Sequence, residues 1–479
     1  MVSTSSPLAV QAGLEALRAG GTAVDAAIAA DAVLGVVQPF WTGIGGDLFC
    51  LVDDGREVTG FNGSGASPAA LTLDDCQRAR AAQPVPPELA PFLDGVPDTS
   101  PLAVTVPGAV DGWCQLSDRY GNLPLAQVLQ PACRLAVDGF PVGPRAAEAW
   151  RAGSQRLRAP APPGLGGAVV AGDRRANPDL AASLSAIGRG GRAAHYEGPW
   201  AVAAVAAVRE AGGVLAPADL AAHRGEWVEP LCGEYRDHDV LELPPNGVGA
   251  AVLAGLRRLA LSDSPGLAEV MVAAREGMEL AAQHVADPRH APVADFWAHD
   301  TVYVAVVAGG MSVSLISSVF WAFGSGLSAG GAVLQNRGCG FALDGAHPNV
   351  AAGGKRPAHT IIPSLLRRDG QTVAVLGVVG GPMQPQGQLQ VISSLLDRGA
   401  DPQSALDAPR ARWLARDLIA VEAGVDEEDV ARLRAAGFRV VGGPLDPAEA
   451  GAGQLICRRP DGWLEGGADA RRDGVAFGW

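Results

Sequence analysis

The feature that most constrains the fold lies past the middle of the chain. Val302-Tyr303-Val304-Ala305-Val306-Val307 is a run of β-type residues, Gly309-Gly310 follow, and Ser312-Val313-Ser314-Leu315-Ile316-Ser317-Ser318 partly alternates. Two such runs around a glycine turn predict a β-hairpin. Thr372–Val379 is another buried-strand candidate, with Leu389–Leu396 a helix after it, and Phe438–Val441 and Gln454–Arg458 are late strands. What precedes the hairpin reads mainly as helix. Ser6-Pro7 opens a helix that ends at Gly20-Gly21, and Thr22 caps a second, Ala23–Val36, rich in small residues. Asp74–Ala82, Leu123–Val137 (broken at Pro131), Ala201–Ala211, Pro217–His223, Val248–Leu261 and Leu267–Ala286 follow. A helix-rich first part thus leads into a strand-rich second part. Gln83–Pro101 and Arg156–Pro163 read as long proline-rich loops.

Composition narrows the function classes. The 479 residues suggest two to four domains, and 48% apolar content supplies a large core, which excludes global disorder. The 63 glycines and 36 prolines show no triplet period, which excludes collagen. A net charge of −14 argues against a general nucleic-acid binder. Seven cysteines without a CxxC read as small buried residues in a reducing compartment. The start carries no secretory signal. Its most apolar stretch, Ala23–Val37, holds Asp25 and Asp31 and is shorter than the ~20 residues of a membrane span. The expectation is a soluble cytoplasmic protein that binds neither membrane nor nucleic acid.

Most motif candidates are weak. No spacing among the eight histidines suits a metal, so neither metal nor cofactor is expected. Gly43-Ile44-Gly45-Gly46-Asp47 lacks the pattern of a nucleotide loop. Gly326-Leu327-Ser328-Ala329-Gly330 lacks strand–turn–helix flanks for a serine hydrolase. The junction Asp300-Thr301-Val302 differs, because a threonine heads the hairpin strand after an acidic residue. A strand-start threonine is common. Its functional reading is an N-terminal nucleophile, freed when the precursor cuts itself between Asp300 and Thr301. The liberated α-amine, with a pKa of ~7.7–8.0, then serves as the base for its own hydroxyl.

An ordered set of segments supports that reading. Ser6-Pro7-Leu8-Ala9, Ala19–Ala27, Gln38-Pro39 and Gly43–Asp47 come first. Val106-Pro107-Gly108, Tyr120-Gly121, Gln130-Pro131-Ala132, Tyr196-Glu197-Gly198, Gly212–Leu215 and Pro244–Gly247 follow. After Thr301 come Phe323–Gly326, Gln335–Gly338, Gly353–Pro357, His359–Pro363 and Gly380–Gly387. In this order they resemble the γ-glutamyltranspeptidase family over the length of the chain. The resemblance implies an α+β fold, a four-layer αββα sandwich of the N-terminal nucleophile hydrolase type. It is built from a large subunit, 1–300, and a small one, 301–479, as a heterodimer of self-cleaved subunits, with further dimerisation left open. It implies Thr301 as nucleophile and Gly380-Gly381 as the backbone oxyanion hole. Ser318 becomes the second hydroxyl, bonded to the nucleophile's oxygen.

The departures from the family pattern bear on the substrate. Arg337 and Gly340 align where transpeptidases use a glutamine and an acid to hold the α-amine. An asparagine near the nucleophile becomes Phe320, a serine pair becomes His359-Thr360, and Phe61–Pro68, aligned with the carboxylate-clamping arginine, contains no arginine. Arg337, His359 and Thr360 are therefore the expected substrate-binding residues. Arg337 either pairs with a carboxylate on the acyl group or braces its own loop. The leading expectation is an amidohydrolase acting on a small acidic amide. The alternatives are a true γ-glutamyl transferase, a side-chain acylase, and an unprocessed relative that only binds.

Overall fold

The computed structural model describes residues 1–83, 95–290, 301–446 and 449–479. Asp300 and part of the Gln83–Pro101 loop lie outside the described residues.

The hairpin forms as its residues dictate. Val302–Ala308 and Met311–Ser318 pair antiparallel with Ala308 opposite Met311. The turn takes φ of +58° at Gly309 and +84° at Gly310, values that glycine adopts without strain. The hairpin lies inside a seven-stranded antiparallel sheet. Its order is Val475–Phe477, Val2–Thr4, Val302–Ala308, Met311–Ser318, Asp47–Asp53, Val58–Asn62 and Glu226–Val228. A second antiparallel sheet runs Leu464–Ala468, Ala452–Arg458, Gln371–Val379, Ser364–Arg368, His238–Glu242 and Leu231–Tyr235.

Side-chain alternation sorts the hairpin between two cores. Tyr303, Ala305, Val307 and Ile316, with Phe49 and Leu51, pack against Leu365, Val375, Val379 and Ile456 of the second sheet. Gly377 makes room for this contact, since a Cβ there would come within 2.4 Å of the Tyr303 ring. Val302, Val304, Val306, Val313 and Leu315 face the other way, onto helices that include Pro7–Arg18, Ala23–Val37, Ala109–Tyr120 and Pro178–Tyr196. On the outer side of the second sheet, Val240, Leu366, Leu376 and Val378 meet helices Gly249–Leu259, Leu267–His284 and Met383–Leu396. Helix Ala23–Val37 is buried along its whole length, which its alanines permit. Thr22 and Asp25 close a reciprocal capping box at its start, a device that contributes about 1 kcal/mol.

Several expectations need correction. The first part is helix-rich as expected, but it also supplies strands that were not, because Asp47–Asp53 and Val58–Asn62 extend the hairpin's own sheet. Asp47–Asp53 is buried on both faces, so it shows no alternation in sequence. The helix expected from Leu389 starts at Met383. Pro382 caps it and Pro385 sits in its first turn, where the missing N–H has no intrahelical acceptor to lose. Leu123–Val137 is broken as expected, but at Leu129 rather than Pro131, which sits in the first turn of the second helix, Gln130–Asp138, after Leu125–Val128. Cys232 is exposed rather than buried. Among the described residues no helix is long and apolar enough to cross a membrane.

Candidate active site

Thr301 precedes Tyr303 by two residues, so it belongs to the face that looks toward the second sheet. The register pairing Val302 with Ser317 carries Ser318 to the position opposite Thr301. Ser318 is paired on its other side with Asp47, which precedes inter-sheet Phe49 by two residues. At this end of the sheet the apolar row therefore gives way to Thr301, Ser318 and Asp47, all buried.

Asp47 collects donors from four parts of the chain. Its Oδ1 accepts the N–H groups of Gly65 at 3.2 Å and Gly108 at 3.0 Å, and Gln335 Nε2 at 2.9 Å. His359 Nε2 lies 3.1 Å from Oδ2, while the Ile361 N–H donates to His359 Nδ1 at 3.4 Å. That assigns the ring proton to Nε2. Burial, with Arg337 and Arg356 nearby, holds the imidazole well below its ordinary pKa, so it is neutral. Burial raises the Asp47 carboxyl to about 7, against the pull of Arg337 and these donors.

Arg337 opens the short turn Arg337–Gly340 and is completely buried. Its guanidinium carbon lies 4.2 Å from the centroid of the Phe320 ring. Phe320 takes φ of +80°, rare for a bulky residue, and its N–H donates to Ser318 Oγ at 2.8 Å. Nη1 of Arg337 donates to Thr360 Oγ1 at 3.0 Å. Its Nε and Nη2 are buried and have no hydrogen-bond partner among the described residues. Burial pushes this arginine down to about 9, against the favourable charge of Asp47. Two unfilled donors on a buried cation are costly unless an acceptor binds them. Where the family's arginine was expected, the Phe61–Pro68 stretch instead carries an amide network. Asn62 Nδ2 donates to Asn246 Oδ1 at 2.9 Å, and the Ser64 hydroxyl to Asn62 Oδ1 at 2.6 Å.

Gly380 and Gly381 end strand Gln371–Val379 and lead into helix Met383–Leu396. Their φ values are +116° and +58°. A Cβ on Gly380 would come 2.9 Å from the Gly451 Cα. Just beyond them, Gln384 Nε2 donates to Thr301 Oγ1 at 3.0 Å.

The structure thus gathers Thr301 and Ser318 in one row and joins His359, Thr360 and Arg337 to it through Asp47. It also brings the helix that follows Gly380-Gly381 to Thr301. Sequence reasoning missed Asp47 and Gln384 as site residues. Both lay inside quoted segments, but neither has a role until the strand register and the helix start are known.

A mixed fold of sheets and helices thus surrounds a buried set of hydroxyl, carboxylate and guanidinium groups. The chain belongs to the γ-glutamyltranspeptidase family, whose sequence model matches residues 9–297 and 274–479. It is 34% identical to the glutathione hydrolase-like YwrD proenzyme of Bacillus subtilis (strain 168), covering 100% of this chain and 98% of the relative. It is 32% identical to the oxamate amidohydrolase proenzyme of Klebsiella pneumoniae subsp. pneumoniae, covering 98% and 97%. The crystal structure of cephalosporin acylase from Bacillus halodurans superposes with a TM-score of 0.90 at 35% identity, over 100% of this chain and 95% of that one. The chain is accordingly an enzyme of γ-glutamyltranspeptidase-like hydrolase type, with relatives that are named as proenzymes.

Proposed function

We propose that this enzyme is a self-processing amidohydrolase that cleaves a small acyl amide carrying a carboxylate and no ammonium, with Thr301 as nucleophile. The observation that carries the substrate class is Arg337, a buried cation with two donors unpartnered among the described residues, beside the Thr301 row. A substrate carboxylate would fill both donors, whereas an ammonium would meet a like charge. The relative named for oxamate, an amide that itself bears a carboxylate, fits this class. In this reading the sheets and their covering helices are the αββα sandwich of an N-terminal nucleophile hydrolase, made by subunits 1–300 and 301–479.

The chemistry follows from the placement. In the precursor, Thr301 Oγ adds to the carbonyl carbon of residue 300. The C–N bond breaks and the nitrogen takes the hydroxyl proton, and water hydrolyses the resulting ester. In the mature enzyme, the freed α-amine accepts the hydroxyl proton as Oγ adds to the substrate amide, then gives it to the leaving amine. The Gly380 and Gly381 N–H groups face the oxyanion. Ser318 supplies the second hydroxyl, Thr360 steadies Arg337, and His359 steadies Asp47. A second reading, hydrolysis or transfer of γ-glutamyl compounds, is favoured by the name of the Bacillus subtilis relative.

Intact mass of the purified protein and a panel of acyl p-nitroanilides separate the readings. Two fragments with best turnover on glutaryl or oxalyl amides support the proposal. Best turnover on the γ-glutamyl amide returns the second reading. An uncut, inactive chain removes both.

A further inference from the structure

Gln384 is completely buried at the start of helix Met383–Leu396. Its Oε1 accepts the Ile362 N–H at 3.1 Å and its Nε2 donates to Thr301 Oγ1 at 3.0 Å. A backbone N–H can only donate, so the Ile362 contact fixes which end of the carboxamide faces Thr301. One helical turn later, Gln388 Nε2 donates to the Ile362 carbonyl at 2.8 Å. The helix therefore holds both polar groups of one residue's backbone, and the Gln384 amide is locked in place.

We infer that Gln384 is a catalytic residue that holds the Thr301 oxygen in position and stabilises the charge it carries when an ester on it breaks. This inference rests on the reading of Thr301 as nucleophile. A carboxamide neither gives nor takes a proton near neutral pH, so Gln384 acts as a fixed dipole rather than a base. In ester hydrolysis, water adds to the acyl carbon and passes a proton to the α-amine. The C–Oγ bond then breaks, its electron pair stays on Oγ, and the ammonium returns the proton. Charge grows on Oγ at that moment, 3.0 Å from the preplaced Nε2, so the bond strengthens in the transition state. Gly380-Gly381 immediately precede the helix whose first turn carries Gln384, so one strand-to-helix junction serves both the carbonyl oxygen and the threonine oxygen of the tetrahedral intermediate.

The test uses full-length precursor carrying Gln384→Met or Gln384→Glu, with wild type and Thr301→Ala as references. The readout is the rate constant of self-cleavage from pH 5 to pH 8, with thermal unfolding as the check on folding. Methionine keeps the length but loses both the donor to Thr301 and the acceptor of the Ile362 N–H, so cleavage slows roughly 10- to 100-fold while the protein stays folded with a modestly lowered Tm. Glutamate donates only when protonated, so the ratio of its rate to wild type rises as the pH falls. A purely structural role would leave that ratio flat. A methionine variant within twofold of wild type, or a flat glutamate ratio, overturns the inference while leaving Thr301 as nucleophile. Self-cleavage by Thr301→Ala would instead remove the reading on which the inference rests.

Discussion

His359 donates its Nε2 proton to Asp47 Oδ2 at 3.1 Å, although 312 positions separate the two residues. The bond ties the segment that carries Thr360 to the strand beside Ser318. Above about pH 7 it also leaves a carboxylate to balance buried Arg337. Asp47→Asn should break this arrangement. The amide nitrogen would face a donor on one side, and Arg337 would lose its counter-charge. A loss of about 3 kcal/mol is expected, read as a lower urea midpoint at unchanged m-value. An unaltered midpoint would show that Asp47 does not balance Arg337.

Maturation is checked by Thr301→Ala. Wild-type protein should separate into two fragments without added protease, the smaller starting Thr-Val-Tyr, whereas the alanine variant stays a single chain. Without the hydroxyl no ester can form. Any other N-terminal sequence on the small fragment moves the nucleophile elsewhere.

Gly381→Val should yield a folded protein with turnover reduced by roughly 10²–10³. The φ of +58° at Gly381 is strained for a β-branched residue, so the N–H would tilt away from the oxyanion. Full activity in a processed valine variant would place the oxyanion hole elsewhere.

Arg337→Gln should narrow or reverse a preference for acyl groups that bear a carboxylate and no ammonium. A charge-assisted pair contributes about 1.5–3 kcal/mol, so kcat/KM on glutaryl or oxalyl amides should drop roughly 10- to 100-fold relative to the γ-glutamyl amide with the same leaving group. If Arg337 only braces its loop against Phe320 and Thr360, Tm falls and the preference stays put.

Asp31 gives the protein a pH dependence of its own. Its carboxylate accepts the Trp113 indole N–H at 2.8 Å and the Ser317 hydroxyl. Burial raises it from 3.8 to about 6 despite these bonds. Between these values the folded state keeps a proton that the unfolded state releases, so stability falls as pH rises through the window. The fall is on the order of 3 kcal/mol and is complete above the folded value. Asp31→Asn removes this term. Its stability relative to wild type should climb from pH 4 to pH 6 and then level off, and parallel urea titrations with a constant offset would rule the assignment out.

The hairpin, its turn and the threonine at its head were legible because they depend on neighbours in sequence. Val302–Val307 and Met311–Ser318 carry β-type residues, and two consecutive glycines suit a turn with positive φ at both positions. Thr22 likewise announces its helix through a local cap. Strand Asp47–Asp53 was not legible, because burial on both faces erases the alternation that marks a strand. The start of helix Met383–Leu396 was hidden by prolines that only its first turn tolerates.

The amino-acid order by itself determined the family pattern, the local elements and the departures at Arg337, His359 and Thr360. Only the tertiary structure decided which groups those residues meet. A hydrogen bond needs two groups at about 3 Å, and no local rule brings His359 to Asp47, Arg337 to Thr360, or Gln384 to Thr301. Those meetings follow from the antiparallel register and from the packing of one sheet on the other. Because the interior excludes water, the same packing decides that a cation at Arg337 is left with donors to fill.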